Sequence, residues 1–351
     1  MMMLISLMIR QQAILQVLKM KIITTKSEWL NALKNADYDC YHTWDYHQIA
    51  CNNGEGIPYL FIYTKGESKI GLPLLLRTVN DVFFDFSSVY GYPGFISYGN
   101  SSSDIIDEFL IEFKKWCFDN NIVSVFSRLN SLIFNTDLFD SVGETVFVDL
   151  TRELDEQWMS YRKNNRNLIN KLKKNGYTCS WDNSKESLVD FISIYNKTME
   201  SLDASDIYYF NESYYQELIE SKDFCVRIYN CYKDSVKVCA GLFIFCDDIV
   251  QYHLSGTVSE FKKDAPNRLM LDTVRIDATN EGYKYLHLGG GLGGQRDGLF
   301  DFKYSFSKEA IDFRILTIIT NFEEYLKLSN ISLTEFKNNS SSFFPLYRKK
   351  N

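Results

Sequence analysis

HLGGGLGGQRDGLFDFKYSF, residues 287–306, is the stretch on which the reading of this chain turns. The apolar run 283–288 enters it as a strand, and the glycines that follow leave backbone amides uncovered by side chains. Gly289, Gly291 and Gly294 spell GxGxxG after a strand, the lettering of a dinucleotide loop. That fold also needs a smooth helix, a continuing βαβ unit and an acidic residue roughly 20 positions on. Asp297 and a run of aromatics stand where the helix should be, and too little chain remains for the rest. The nucleotide-loop reading therefore fails. What is left is a strand end followed by charged side chains, of which Asp297 and Lys303 stand out, the latter between Phe302 and Phe306.

Working back from this stretch, residues 153–175 read as one helix with a Trp158, Tyr161, Leu168, Leu172 stripe. A strand at 177–181, helices at 188–199 and 211–219, and strands at 224–229, 236–245 and 249–255 follow. Then come a helix at 267–280 closed by Gly282, the strand 283–288, a short helix near Leu299 and a strand at 312–319. The first half repeats this order. It has a strand at 21–25, helices at 27–33 and 43–51, strands at 59–63 and 69–77 joined through Gly66, and a third strand at 82–89. A helix at 104–119 has Ile105, Phe109, Phe113 and Trp116 on one face, and strands at 122–129 and 146–150 close the half. The predicted class is α/β with mixed α+β sheets, in two similar domains, 20–150 and 151–351. Residues 1–19 are set apart as a non-essential extension before MKIITTKSEW, with Met20 as the expected functional start. Arg10, Gln11 and Gln12 interrupt that extension too strongly for a bilayer span.

Composition is consistent with two packed cores: 351 residues, 45% apolar and 15% aromatic. A net charge of −7 disfavours broad contact with nucleic acid. The 8 cysteines form no CxxC pair and read as buried reduced thiols, and the 4 histidines have no metal-ligand spacing. No metal and no membrane span are expected, and the cytoplasm is the expected location. Oligomeric state is left open.

Several stretches, taken in order, resemble the Fem-type tandem GNAT acyltransferases and their sugar N-acyltransferase relatives. They are YRKNNRNLINKLKKNGY at 161–177, AGLF at 240–243, QYHLSG at 251–256, APNRLM at 265–270 and the closing stretch itself. DFSSVYGYPG at 85–94 is similar to a motif of the subgroup found with surface-polysaccharide genes. The resemblance covers about Met20 to Thr320 and implies transfer of an acyl group to an amine. In the GNAT layout two neighbouring strands splay and hold the donor in the gap, and its diphosphate meets a helix N-terminus. Leu254, Ser255, Asn267, Arg268, Leu269, Leu288, Gly289 and Gly290 are thereby implied as donor-binding positions. The family's Gly-rich diphosphate loop is missing here.

For chemistry the resemblance points to His253, Lys303 and Asp297. His253 would take the acceptor's proton or orient it, or be a hydrogen-bonded core histidine. Lys303 would sit at the donor carbonyl or phosphate, or snorkel at the surface. Asp297 would bind the acceptor, or merely cap a helix. Arg162 and Arg166, one helical turn apart, form either a diphosphate clamp or a charged rim. Tyr90 and Tyr92 would stack on a sugar or base, or belong to a tight turn. No permanently bound cofactor is implied. The first expectation is acyl-CoA as co-substrate with a nucleotide-linked amino sugar as acceptor. The alternative is a Fem-type transferase using aminoacyl-tRNA to build a peptidoglycan bridge, although the long helical hairpin such ligases often carry has no room here. A third reading is an inactive module that only binds a nucleotide sugar.

Overall fold

The computed structural model describes residues 20–99, 103–339 and 343–349, so the extension expected over 1–19 lies outside the described residues. Strand β1 (Met20–Ile23) leads into helices α1 (Lys26–Leu33) and α2 (Trp44–Asn52), capped by Thr43 through its bond from the Tyr46 amide. The hairpin β2 (Ile57–Lys65) and β3 (Ser68–Thr78) comes after them, then β4 (Phe84–Ser87), the two-residue β5 (Ile96–Ser97), α3 (Ser103–Asp119), β6 (Ile122–Arg128) and β7 (Asp140–Asp149).

The helix expected over 153–175 is in fact two, α4 (Leu154–Ser160) and α5 (Lys163–Lys174). Tyr161 and Arg162 between them are extended, with ψ of 145° and 138°. This break turns the Tyr161 ring into the core against Phe306 and puts its hydroxyl on Asp272, while the Arg162 amide donates to the Ser305 carbonyl. Burial of one large aromatic outweighs the few helical hydrogen bonds lost.

Strand β8 (Tyr177–Trp181), helices α6 (Lys185–Ser201) and α7 (Glu212–Glu220), and strands β9 (Cys225–Lys233), β10 (Val236–Cys246) and β11 (Ile249–Thr257) come next. Helix α8 (Asn267–Asn280), β12 (Tyr285–Gly289), α9 (Gly298–Tyr304), β13 (Ala310–Ile319), α10 (Phe322–Ser329) and α11 (Leu333–Lys337) complete the chain. The eight cysteines are all unpaired; Cys225 is exposed, contrary to the expectation of buried thiols throughout.

Among the described residues every strand joins one sheet. Its order is β1-β2-β3-β4-β6-β13-β7-β12-β11-β10-β9-β8, with β5 beside β3. The two halves exchange strands at the centre. β13, late in the chain, lies between β6 (Ile315↔Arg128) and β7 (Ala310↔Val146), while β7 pairs with β12 (Leu286↔Val148). The cores are exchanged with them. Leu316 and Ile318 of β13 pack among Phe86, Phe109 and Phe113 of the first half. Val146 and Val148 of β7 pack with Phe243, Met270 and Val274 of the second. A third cluster joins Tyr46 and Ile49 of α2 to Tyr214 and Leu218 of α7 across the boundary. At the far end Asp85 is wholly buried and bound by Arg77, Arg348 and the Tyr347 hydroxyl, which fastens segment 343–349 onto β4.

Candidate active site

Strands β11 and β12 run parallel but pair only through Ile249↔Tyr285, Val250↔Leu286 and Gln251↔His287. Beyond Gln251, β11 continues on β10 alone to Thr257, and β12 breaks register between His287 and Gly289. Gly289 has φ +75°, a conformation costly for any residue with a Cβ, and swings the chain away. The strands thus splay into a wedge. At its mouth lies a cavity of about 220 Å³, walled by Tyr252, His253, Leu288, Gly289 and Lys303 of the second half. Tyr90, Gly91, Tyr92 and Arg128 of the first half close it. Aromatic walls with a few convergent polar groups are the usual make-up of a small-molecule site.

Lys303 is the polar centre. Its Nζ donates to the Gly290 carbonyl at 2.6 Å. The Gly290 amide donates to the Tyr92 hydroxyl at 3.4 Å. A side chain at Gly289 would come within 3.2 Å of that hydroxyl and 3.3 Å of the Lys303 Nζ, so glycine leaves this corner open. Burial pulls the Lys303 ammonium down to about 8, and the Asp297 carboxylate opposes the shift. The group is therefore mostly a charged donor near pH 7 and loses that charge as pH rises through about 8.

His253 also faces the cavity, held between two phenols: Nε2 is 2.8 Å from the Tyr214 hydroxyl and Nδ1 is 3.4 Å from that of Tyr41. Burial drives it down to about 3, so the imidazole is neutral. So weak a base takes little of a proton from an ammonium, which leaves orientation as the role its geometry allows. Of its expected neighbours, Leu254 points away into the core and Ser255 bonds the Tyr252 hydroxyl.

Asp297 caps α9, accepting from the Phe300 amide at 2.8 Å and the Leu292 amide at 3.0 Å. Those amides hold its carboxyl below the usual range. The capping alternative is therefore the one its bonds express, and its charge supports that of Lys303.

The expected helix-terminus site is arranged otherwise. The turn Ser259–Asp264 precedes α8, and its bonds run internally, Phe261 amide to Val258 and Ala265 amide to Lys262. Arg268 donates to Asn165 at 2.6 Å and Ser305 at 3.1 Å and lies over Phe302. It ties α8 to α5 and α9. Leu269 is core, and Asn267 begins the helix without capping it. Arg162 pairs with Asp301, and Arg166 donates to the carbonyls of Met159 and Tyr161 across the α4–α5 break. Neither lines the cavity; they form the charged rim rather than a clamp reaching it.

The sequence reading missed a buried chain beneath the wedge. His287 Nδ1 meets the Gln251 side chain at 2.8 Å, Gln251 donates to Asp39 at 2.7 Å, and Asn130 donates to the same oxygen at 2.6 Å. It joins the two halves directly under the last paired residues of β11 and β12. Tyr41, Tyr214 and Arg128 were missed with it. Tyr41 and His253 are 212 positions apart, a separation no local pattern reports.

Residues 159–304 match the sequence family described as the acetyltransferase (GNAT) domain. Among solved structures the chain is similar to FemX, with a TM-score of 0.67 and 13% identity over 88% of this chain and 99% of that one. It is also similar to L-PGS from Bacillus licheniformis, with a TM-score of 0.53 and 13% identity over 85% and 93%. The C-terminal domain of a putative lysylphosphatidylglycerol synthetase from Agrobacterium fabrum gives a TM-score of 0.51 and 10% identity over 72% and 81%. At such identities the likeness is one of fold. No curated protein matches the sequence. The splayed strand pair lies inside the matched region, so residues 159–304 are a GNAT acetyltransferase domain, set in a chain that shares its overall fold with these structures.

Proposed function

We propose that the cavity at the mouth of the β11–β12 wedge is where an amine attacks an activated carbonyl directly, with Lys303 as the donor to the developing oxyanion. The observation that carries this reading is the corner made by Lys303, Gly289 and Gly290 at the point where the strands part. The neutral amine nitrogen bonds the carbonyl carbon, the bond from that carbon to the donor's oxygen or sulfur breaks, and the amine's proton leaves with that atom. Holding two reactants aligned lowers the barrier by ~7–11 kcal/mol. One well-aimed oxyanion donor adds ~3–4 kcal/mol. No covalent enzyme intermediate is required.

For the donor, the turn at Ser259–Asp264 weighs against coenzyme A. The Phe261 and Ala265 amides are spent on the turn's own carbonyls, Pro266 has none, and Arg268 is engaged elsewhere, which leaves fewer groups for a diphosphate. This favours the Fem-type alternative, an aminoacyl ester donor, and the similarity to FemX over nearly all of that chain supports it. The acyl-CoA and nucleotide-linked amino sugar reading keeps one observation in its favour. Between β11 and β12 stands α8 with the short turn before it, and no projecting helical hairpin occurs there to carry a tRNA. Charged tRNA and a panel of acyl-CoAs, each offered with amine acceptors including nucleotide-linked amino sugars, separate the two. Release of uncharged tRNA only with acceptor present supports the first. Release of free thiol only with acceptor supports the second, and neither product sinks the transfer reading.

A further inference from the structure

The cavity has a second cation, which the transfer chemistry leaves without a task. Arg128 ends β6 in the first half and lines the cavity. Its guanidinium lies over the Phe126 ring at 5.5 Å. Among the described residues its side chain donates no hydrogen bond and has no carboxylate within ion-pair distance, and no Asp or Glu lines the cavity. Most other described arginines are placed differently. Arg77, Arg227, Arg296, Arg314 and Arg348 each hold a carboxylate. A guanidinium with its donors unspent in an aromatic cavity calls for an anion.

Position says which substrate carries it. Tyr92 stands between the two cations: its hydroxyl is at the Gly289–Lys303 corner, and the Arg128 charge reaches both Tyr90 and Tyr92. Tyr208 of the second half lines the same side. Lys303, on α9, meets the end of the splayed strands at Gly290, where the transfer reading puts the donor carbonyl. Arg128 comes from the other half of the chain and not from the elements around that corner, which assigns it to the acceptor.

We propose that the acceptor is an amine that itself carries an anionic group, a carboxylate or a phosphate, and that Arg128 holds this group while the amine faces the carbonyl at Lys303. This rests on the cavity being the transfer site. It assigns Arg128 as a specificity-determining residue for the acceptor.

The test uses the full chain and matched probes: L-alanine against L-alaninamide, and phosphoethanolamine against ethanolamine, titrated by ligand-observed NMR. We expect one anionic member to bind at least tenfold more tightly than its neutral partner, and the pair that shows this tells carboxylate from phosphate. Added salt should narrow the gap. Arg128→Gln should abolish it, and Arg128→Lys should keep part of it. Equal binding within both pairs, binding by none of the four, or a gap that survives in Arg128→Gln overturns the proposal. The wild-type comparison alone decides the first two outcomes, so a misfolded variant does not shelter it. An anion preference without transfer from any donor would retain the Arg128 site and sink the transfer reading instead.

Discussion

The two halves treat the same pair of strands in opposite ways. In the first half β4 and β6 pair through Phe84↔Ile122, Phe86↔Val125 and Ser87↔Phe126, and the Ser88 amide adds a further bond to Phe126. Pairing reaches the end of β4, so no wedge opens. In the second half β11 outruns its last partner by six residues and the gap is kept. After β4 the chain instead forms a loop that delivers Tyr90, Gly91 and Tyr92 into the other half's wedge. One half supplies the opening and the other a wall, so the two similar layouts contribute to this cavity in different ways.

That asymmetry can be broken at chosen points. Lys303→Ala should lower kcat by about 100- to 1000-fold with the chain still folded. In the wild type, kcat should fall as pH rises through about 8, because the ammonium is present below that value and lost above it. The less easily deprotonated Lys303→Arg should push that limb upward in a pH–rate profile. A first-half counterpart is Asp85→Asn, which leaves Arg77 and Arg348 without their buried carboxylate. It should cost about 3 kcal/mol in denaturant unfolding while kcat per folded molecule is unchanged. Equal kinetic damage from both variants would erase the distinction between the halves.

Smaller changes sharpen it. A Cβ at Gly91, which has φ +106°, would sit 2.3 Å from the Tyr41 ring. Gly91→Ala should therefore cost about 2 kcal/mol through backbone strain and overpacking. By pushing Tyr41 off His253 it should also raise KM more than it lowers kcat. Asp297→Ala should cost about 1 kcal/mol as a lost helix cap. It should also move the falling pH limb downward, since the carboxylate supports the Lys303 charge. A limb that stays in place would detach Asp297 from the chemistry.

The features legible in the sequence were those set by periodicity and local spacing. The strands, most helices and the order of both halves were readable because each element's apolar pattern lies within its own few residues. Lys303, His253, Gly289, Tyr90 and Tyr92 were named because they fall in or beside recognisable stretches, and the fold brings all five to the wall of one cavity. Arg128 was not, because it ends an apolar strand as one cation among many, and its free guanidinium exists only once the fold is assembled. The break at Tyr161 was hidden for a similar reason: a helical stripe continues across it, and only the tertiary pocket for the ring decides against the helix. Arg268 misled in the other direction, since a helix start does not tell whether its arginine faces a ligand or a neighbouring helix.

The central crossing of β7 and β13 has a consequence for how the molecule is made. As the chain emerges during synthesis, β6 has no neighbour on its open side until β13 is made nearly at the end. The first half must wait with an unpaired edge, and its final pairing has high contact order. Isolated first-half fragments should therefore self-associate, and maturation should be limited by threading one late strand between two early ones.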